Sequence, residues 1–285
     1  MMPATLITVA PTGAELDKAR VPTLPVTIDE LVTTARECAA VGASVIHVHI
    51  RDGAARPSLD PGLLRETVAA LRAGSDLIVQ LSSGGAVNDS EPDRLRVLDA
   101  APDMASCTMG TVNFGDDVFV NRWQFIVDLH TGMQERGIVP EYEIFDLGQL
   151  TTLQRLLDRH GLPVGGHVHV DLVLGVPGGL PGTTAALVAC VQALRDLPDG
   201  TTFSATGIGR STLPVLLAAL SAGGHLRVGM EDTVSYAKGQ PVESNAQLVA
   251  RAAAFARLAQ RPPMTPDHAR ELLGLPVRRD GGVGG

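Results

Sequence analysis

Two histidines separated by a single residue, His47 and His49, are the side chains whose types and spacing point most directly to chemistry in this sequence. They lie in the apolar stretch Ser44–Asp52, whose β-branched residues and flanking glycines predict a β-strand. Because side chains alternate between the two faces of a strand, both imidazoles should point the same way. Two imidazoles on one face can bind a divalent metal ion when a third ligand comes from elsewhere. The motif alone is equally consistent with a hydrogen-bonded pair that holds no metal.

The overall composition narrows the class of protein that could use such a pair. With 285 residues, 45% of them hydrophobic and 3% aromatic, the chain can bury a large aliphatic core. A net charge of −8 with scattered basic residues argues against nucleic-acid binding. The three cysteines form no CxxC pair, and no apolar run approaches the roughly 20 residues of a membrane span. The N-terminus also lacks the basic region of a secretion signal. We therefore expect a reduced, cytoplasmic protein that binds neither nucleic acid nor a membrane.

Short apolar runs alternate with amphipathic segments along the chain, eight of each. This alternation predicts an α/β fold, a (β/α)8 TIM barrel, although a doubly wound open sheet is built from similar units. The predicted strands are Leu6–Pro11, Ser44–Asp52, Leu77–Ser83, Met104–Gly110, Glu141–Asp146, Val168–Leu174, Thr202–Ile208 and Leu226–Asp232. The predicted helices lie near 28–41, 61–73, 91–100, 118–136, 149–160, 184–196, 211–223 and 243–260.

The chain shows no linker, repeat or change in composition, so we expect a single catalytic barrel domain over residues 1–276. A cap residue followed by proline at Thr265 and Pro266 should begin one short additional helix that packs on the outside of the barrel. The glycine-rich end, 277–285, is expected to be a flexible C-terminal tail.

Polar residues and glycines follow nearly every predicted strand. In a parallel barrel the loops after the strands converge on one mouth, where the chemistry takes place. The glycine-rich segments Gly175–Gly182 and Gly207–Arg210 are compatible with a phosphate-bearing ligand such as a CoA ester, but they match no nucleotide-binding motif. The candidate residues at the mouth include Glu15, Ser82, Gly85, Thr108, Glu141, Glu143, Arg227, Glu231 and Asp232.

A second pair, His167 and His169, shows that the HxH spacing alone is weak evidence. This pair stands at the start of the predicted sixth strand, toward the opposite end of the barrel, where polar residues usually serve stability. His47 and His49 lie further along their strand and are the better candidates for a metal site.

A third ligand should be an acid or a histidine from another strand end, and Glu231 fits this requirement. The neighbouring Asp232 would then be available as a base, while Arg227 could orient it or bind an anionic substrate. The alternative for Glu231 and Asp232 is an acidic pair that caps a helix.

Seven segments together resemble one known family, the β-keto acid cleavage enzymes, whose founding activity is 3-keto-5-aminohexanoate cleavage. The resemblance covers nearly the whole chain, and its most specific parts are the HxHxRD and GGHxRVGxED motifs. The matching segments are Ala10–Ala14, His47–Asp52, Ser82–Gly85, Glu141–Asp146, Gly207–Arg210, Gly223–Asp232 and Ser244–Val249.

The resemblance implies a zinc-dependent barrel, usually a homotetramer, that condenses a β-keto acid with acetyl-CoA and releases acetoacetate and a new acyl-CoA. By motif, His47, His49 and Glu231 would bind one Zn²⁺ per subunit, Asp232 would be the base and Arg227 its partner. The residues that would line the substrate site are Glu15, Ser82, Gly85, Thr108 and Glu143. The chain departs from the family at Phe203–Thr206, where a tryptophan is frequent, and at Ser83, where threonine is common.

Three other functions remain open at this point. A metal-dependent hydrolase of the amidohydrolase type also uses HxH in a barrel, but it carries this motif on the first strand and needs further histidines later. A metal-dependent aldolase would use the same enolate chemistry without CoA, and a non-enzymatic metal-binding module would not need so many polar strand ends. If Glu15 and Glu143 both face the pocket, they suggest a substrate with an amino or other hydrogen-bonding side chain.

Overall fold

Eight parallel strands form a closed barrel whose order around the ring follows the chain, in a computed structural model that describes residues 4–276. Closure is direct, because Thr8 of the first strand lies opposite Val45 of the second and Arg227 of the eighth. The predicted (β/α)8 barrel is therefore confirmed, and the open sheet is excluded. The strands are β1 (Ile7–Val9), β2 (Val45–Val48), β3 (Ile78–Leu81), β4 (Met104–Thr108), β5 (Val139–Ile144), β6 (His169–Leu174), β7 (Thr202–Gly207) and β8 (His225–Val228).

Helices follow the strands and cover the outside of the barrel. Their starts show why the sequence places them there: Thr27 and Glu30 form a reciprocal capping box, and Asp60 accepts a hydrogen bond from the first turn of the next helix. The helices are α1 (Ile28–Val41), α2 (Pro61–Gly74), α3 (Glu91–Arg96), α4 (Trp123–Arg136), α5 (Leu147–His160), α6 (Thr184–Ala193), α7 (Thr212–Ser221), α8 (Asn245–Leu258) and α9 (Pro266–Leu273).

In two of the predicted elements a small hairpin takes over part of the predicted range. The predicted strand Ser44–Asp52 breaks at His49, after which Ile50–Arg51 pairs with Pro57–Ser58. The helix predicted from 118 begins only at Trp123, because the preceding residues form an antiparallel hairpin in which Val112 pairs with Phe119. Both hairpins follow a barrel strand and so project toward the mouth.

Helix α9 was predicted to pack on the outer side of the barrel, but this prediction is wrong. The helix packs across the N-terminal end of the barrel. Ala269 and Leu273 are buried in one cluster with residues at the starts of five strands: Leu6, Val45, Ile78, Met104 and Val139. The apolar face of α9 therefore closes the bottom of the barrel. The predicted flexible tail, 277–285, lies outside the described residues. Within residues 4–276, no helix is long and apolar enough to cross a membrane.

Candidate active site

A cavity of about 360 Å³ opens at the C-terminal ends of the strands. Its lining combines two very different groups of side chains. Most titratable groups come from β2, β5 and β8 with the turn that follows it, whereas the three aromatic residues come from the ends of β4 and β5. Apart from Glu15, the titratable lining residues are His47, His49, Glu143, Arg227, Glu231 and Asp232.

His47, His49 and Glu231 lie within 4.8 Å of one another through one ligand atom each. Glu231 Oε1 is 3.9 Å from His47 Nε2 and 3.7 Å from His49 Nε2, which is too long for hydrogen bonds. Tetrahedral zinc with bonds of about 2.1 Å separates its ligand atoms by roughly 3.4 Å, so the spacing is close to that of a metal site. The second oxygen, Glu231 Oε2, is buried without a hydrogen-bond partner among the described residues.

The protonation states of these groups also suit a metal. Burial lowers the pKa of His47 to about 3, with the charge of Arg227 adding to the effect, and burial likewise lowers the pKa of His49. Burial alone would raise the pKa of Glu231, but Arg227 and the two histidines lower it to about 2. At neutral pH the site therefore presents two neutral imidazoles and one carboxylate, the forms that bind metals.

Gln80 orients the more deeply buried histidine. It is the register partner of His47 on β3, and its Oε1 lies 2.5 Å from His47 Nδ1. An amide oxygen only accepts hydrogen bonds, so Nδ1 carries the hydrogen and Nε2 presents its lone pair toward Glu231. This is the arrangement by which proteins fix the tautomer of a metal-binding histidine. Gln80 is not among the predicted site residues, although it stands in the middle of an apolar strand, where a polar residue is itself a signal.

The turn that follows β8 needs a glycine to deliver Glu231. A Cβ at Gly229 would lie 1.8 Å from the carbonyl oxygen of Ala10, so the backbones after β1 and β8 approach too closely for any other residue. Glu231 N then donates to the same carbonyl at 3.2 Å. Glu231 and Asp232 sit in this turn and do not cap a helix, since the next helix starts at Asn245.

Arg227 lies among four carboxylates. Its Nη2 donates to Asp232 Oδ1 at 3.1 Å and also to Glu231, while its Nη1 is 3.6 Å from Glu143 and 3.9 Å from Asp171. Burial raises the pKa of both Asp232 and Glu143 to about 7, in opposition to the charge of Arg227. The site thus contains two carboxyl groups that can exchange protons near neutral pH.

The remaining predicted site residues lie at three different depths. Ser82, Gly85 and Glu143 line the cavity, whereas Glu15 is exposed at its rim. Thr108 is not among the described lining residues: it lies behind Glu143 and donates to its Oε2 at 2.7 Å. Its role in the geometry is to hold Glu143 rather than to contact a ligand in the cavity.

The second histidine pair, at the start of β6, is hydrogen-bonded to hydroxyl groups of β7. His169 Nδ1 lies 2.7 Å from Thr202 Oγ1, and its Nε2 lies 3.0 Å from Ser204 Oγ. His167 contacts the same threonine hydroxyl at 2.7 Å. Both ring nitrogens of His169 therefore have protein partners, as expected for a structural histidine.

The apolar part of the lining was not predicted. Eight apolar side chains form a cluster separate from the barrel core, and seven of them line the cavity. One of the seven, Val87, follows β3; the other six come from the ends of β4 to β7, and we call them the apolar wall. A usable signal was the alternation of apolar and polar residues in 112–114 followed by Gly115, which is typical of a hairpin. The apolar wall consists of Phe114, Phe119, Phe145, Val173, Val176 and Ile208.

The chain is similar to known proteins over nearly its whole length. Residues 4–275 match the family model described as beta-keto acid cleavage enzyme. The 3-keto-5-aminohexanoate cleavage enzyme of Acetoanaerobium sticklandii is 37% identical over 276 residues, covering 95% of this chain and 98% of the relative. The 3-oxoadipate:acetyl-CoA acetyltransferase of Cupriavidus necator is 34% identical, with 95% of each chain covered.

Among solved structures, a ternary complex of ObcA with a C4-CoA adduct and oxalate superposes with a TM-score of 0.78. That match covers 89% of this chain and 68% of ObcA at 19% identity, so it supports the barrel fold alone. The family model and the relatives, in contrast, extend over nearly the whole sequence, including every residue of the cavity. The chain therefore belongs to the β-keto acid cleavage enzyme family.

Proposed function

We propose that this enzyme uses zinc to condense a β-keto acid with acetyl-CoA and then cleaves the adduct to acetoacetate and a new acyl-CoA. The observation that carries the proposal is the trio of His47, His49 and Glu231 beside the carboxyl group of Asp232 in one cavity. The name of the Cupriavidus relative, a 3-oxoadipate:acetyl-CoA acetyltransferase, supports acetyl-CoA as the co-substrate.

The two histidines and Glu231 would hold one zinc ion per subunit. Three protein ligands leave a coordination position open, as in catalytic zinc sites. A zinc ion bound there would supply Lewis-acid polarisation of the 3-keto group, which acidifies the neighbouring C2 methylene.

Asp232 is the base in this proposal. It follows Glu231 directly, it lines the cavity, and its raised pKa makes it a stronger base than an exposed aspartate. Arg227 donates to Asp232 Oδ1 and so fixes the orientation of the carboxylate that takes the C2 proton. Glu143, held by Thr108, faces the same cavity and would bind a polar group of the substrate.

The bond changes balance without a redox cofactor or a nucleophilic side chain. The C2 carbanion attacks the thioester carbonyl of acetyl-CoA, which forms a carbon–carbon bond and releases CoA thiolate. The thiolate then adds to the original 3-keto carbon and the C2–C3 bond breaks. The electron pair returns to C2, which recovers the proton from Asp232. The products are acetoacetate and the acyl-CoA of the original chain.

The alternative functions fit the site less well. An amidohydrolase-type site needs additional histidines after the fifth and sixth strands, but β5 supplies Glu141 and Glu143, and His169 stands at the far end of β6. A metal-dependent aldolase differs only in acting without acetyl-CoA. Dependence of the reaction on acetyl-CoA separates these functions.

The test is to incubate the zinc-loaded enzyme and acetyl-CoA with 3-oxohexanoate, 3-keto-5-aminohexanoate or 3-oxoadipate in separate reactions. We expect acetoacetate and one new acyl-CoA in equal amounts with at least one acid, and no reaction without acetyl-CoA. Free carboxylic acids as products would indicate a hydrolase. Consumption of the keto acid in the absence of acetyl-CoA would indicate an aldolase, and no acetoacetate from any acid would refute the proposal.

The family resemblance further supports a homotetramer as the active form. Light scattering of the purified enzyme should give four times the 29.8 kDa mass of the chain. A monomer at assay concentration would contradict this part of the proposal.

A further inference from the structure

We propose that the acyl chain of the β-keto acid lies against the apolar wall, so that this enzyme selects β-keto acids whose chain is uncharged and apolar. The inference rests on the proposed function and deepens it, because it names the chemical class of the chain beyond the 3-keto carbon. It differs from the expectation drawn from Glu15 and Glu143, which was that the substrate carries an amino or other hydrogen-bonding group on its chain.

The apolar wall lies across the mouth from the candidate metal site. His47 and Glu231 come from β2 and the turn after β8, whereas the wall comes from the ends of β4, β5, β6 and β7. A substrate held by its keto and carboxylate groups at the metal site therefore extends its remaining chain toward the wall. The coenzyme is too large for a cavity of about 360 Å³, so its nucleotide stays outside and its acetyl end enters.

The wall is preformed. The rings of Phe114 and Phe145 pack edge to face with centroids 6.2 Å apart, and Phe119 packs on Phe114 in the same way at 6.3 Å. Behind them, the guanidinium of Arg94 lies 4.6 Å from the centre of the Phe119 ring. A Cβ at Gly178 would lie 2.1 Å from the carbonyl oxygen of Asn113, so the loop after β6 is locked against the hairpin.

A second carboxylate on the substrate would find no partner in this cavity. Among the described residues that line it, Arg227 is the sole arginine or lysine, and it already binds Glu231 and Asp232. A chain such as that of 3-oxoadipate would therefore bury an unpaired negative charge against aromatic and aliphatic side chains, which is unfavourable.

A positively charged ammonium group on the acyl chain would also lack a carboxylate partner at the wall. Glu143 accepts a hydrogen bond from Thr108 and lies 3.6 Å from Arg227, so its charge is already engaged. Glu15 is exposed at the rim, where Arg51 interacts with its charge. Neither carboxylate belongs to the wall, so an amino group on an acyl chain that lies along the wall would lose its hydration there without gaining a partner.

The experiment compares kcat/KM for three six-carbon β-keto acids with acetyl-CoA: 3-oxohexanoate, 3-keto-5-aminohexanoate and 3-oxoadipate. They share a chain length and differ in the charge of the acyl chain, which is zero, positive and negative. We expect 3-oxohexanoate to exceed both charged acids by at least about 10-fold. A charged acid that equals or exceeds it would overturn the inference while leaving the proposed function intact. No acetoacetate from any of the three acids would overturn the proposed function and the inference with it.

A variant pair tests the location of the chain. Ile208 is half-buried in the wall, and Ile208→Lys places a cation there; Leu217→Lys adds the same charge on α7, where the side chain is 50% exposed and far from the lining. Ile208→Lys should lower kcat/KM for 3-oxohexanoate and raise the 3-oxoadipate to 3-oxohexanoate ratio by about 10-fold or more. Leu217→Lys should change neither. If Ile208→Lys melts within a few degrees of the wild type and leaves the ratio unchanged, the chain does not contact the wall and the inference is wrong.

Discussion

Replacing Gln80 with leucine should weaken zinc binding by about 10- to 100-fold, although Gln80 touches no metal itself. In the wild type, Gln80 Oε1 accepts the hydrogen of His47 Nδ1 at 2.5 Å, and this keeps Nε2 free for the metal. His47 is only 1% exposed, so water cannot replace the lost acceptor. Leucine has a similar volume and leaves the rest of the strand packing in place.

The magnitude follows from the cost of the orphaned donor. A buried polar group without a partner costs about 1–3 kcal/mol. In the metal-free variant the imidazole can avoid this cost by moving its hydrogen to Nε2, but metal binding then forces the hydrogen back to the unpaired Nδ1. The penalty therefore falls on the bound state, and about 1.4–2.7 kcal/mol corresponds to a 10- to 100-fold change in Kd.

The assay is a zinc titration in competition with a chromophoric chelator, without any substrate. Gln80→Glu should retain most of the affinity, because a carboxylate also accepts from Nδ1. Gln149→Leu is the matched control: Gln149 is buried and its Oε1 accepts from Phe145 N at 2.7 Å, but it does not contact His47. Its loss should lower the melting temperature and leave the zinc Kd unchanged. A Kd for Gln80→Leu within threefold of the wild type would refute the reasoning.

Three further outcomes are expected. Asp232→Asn should lower kcat by about 10²- to 10⁴-fold with one zinc per chain retained, and wild-type activity would remove Asp232 as the base. His49→Ala should not retain stoichiometric zinc after dialysis, and one zinc per chain in that variant would contradict its assignment as a ligand. Arg94→Met should destabilise the protein by about 3–5 kcal/mol in urea unfolding, because Arg94 is buried and donates to Ser83, Val120 and Asn121. Arg96→Met, on the same helix but half exposed, should change stability by less than about 0.5 kcal/mol, and equal effects would contradict the account.

The alternating strands and helices of the barrel were predictable from the sequence, because each strand and each helix has its own local pattern of apolar and capping residues. Strand alternation brought His47 and His49 to the same side, and barrel closure brought Glu231 toward them from β8. Even so, His49 lies just past the end of β2. The chain leaves the barrel there to form a hairpin, and single-strand periodicity cannot detect that departure.

The rest depended on partners that are distant in the sequence. Gln80 lies beside His47 because of the register of β2 with β3. Thr108 lies beside Glu143 because of the register of β4 with β5. The apolar wall gathers residues from four strand ends, so a local pattern could indicate its hairpin but not the wall as a whole. The predicted position of helix α9 was wrong for a related reason. Its apolar face packs against the starts of five strands, which come together only when the barrel closes.

The most direct test of the proposed chemistry follows the carbonyl carbon of acetyl-CoA through the reaction. With acetyl-CoA labelled with ¹³C at its carbonyl and unlabelled 3-oxohexanoate, the account predicts that all of the label appears at C3 of acetoacetate and that the butyryl-CoA formed is unlabelled. Labelled free acetate, from hydrolysis or from transfer of CoA to the carboxylate of the keto acid, would contradict it.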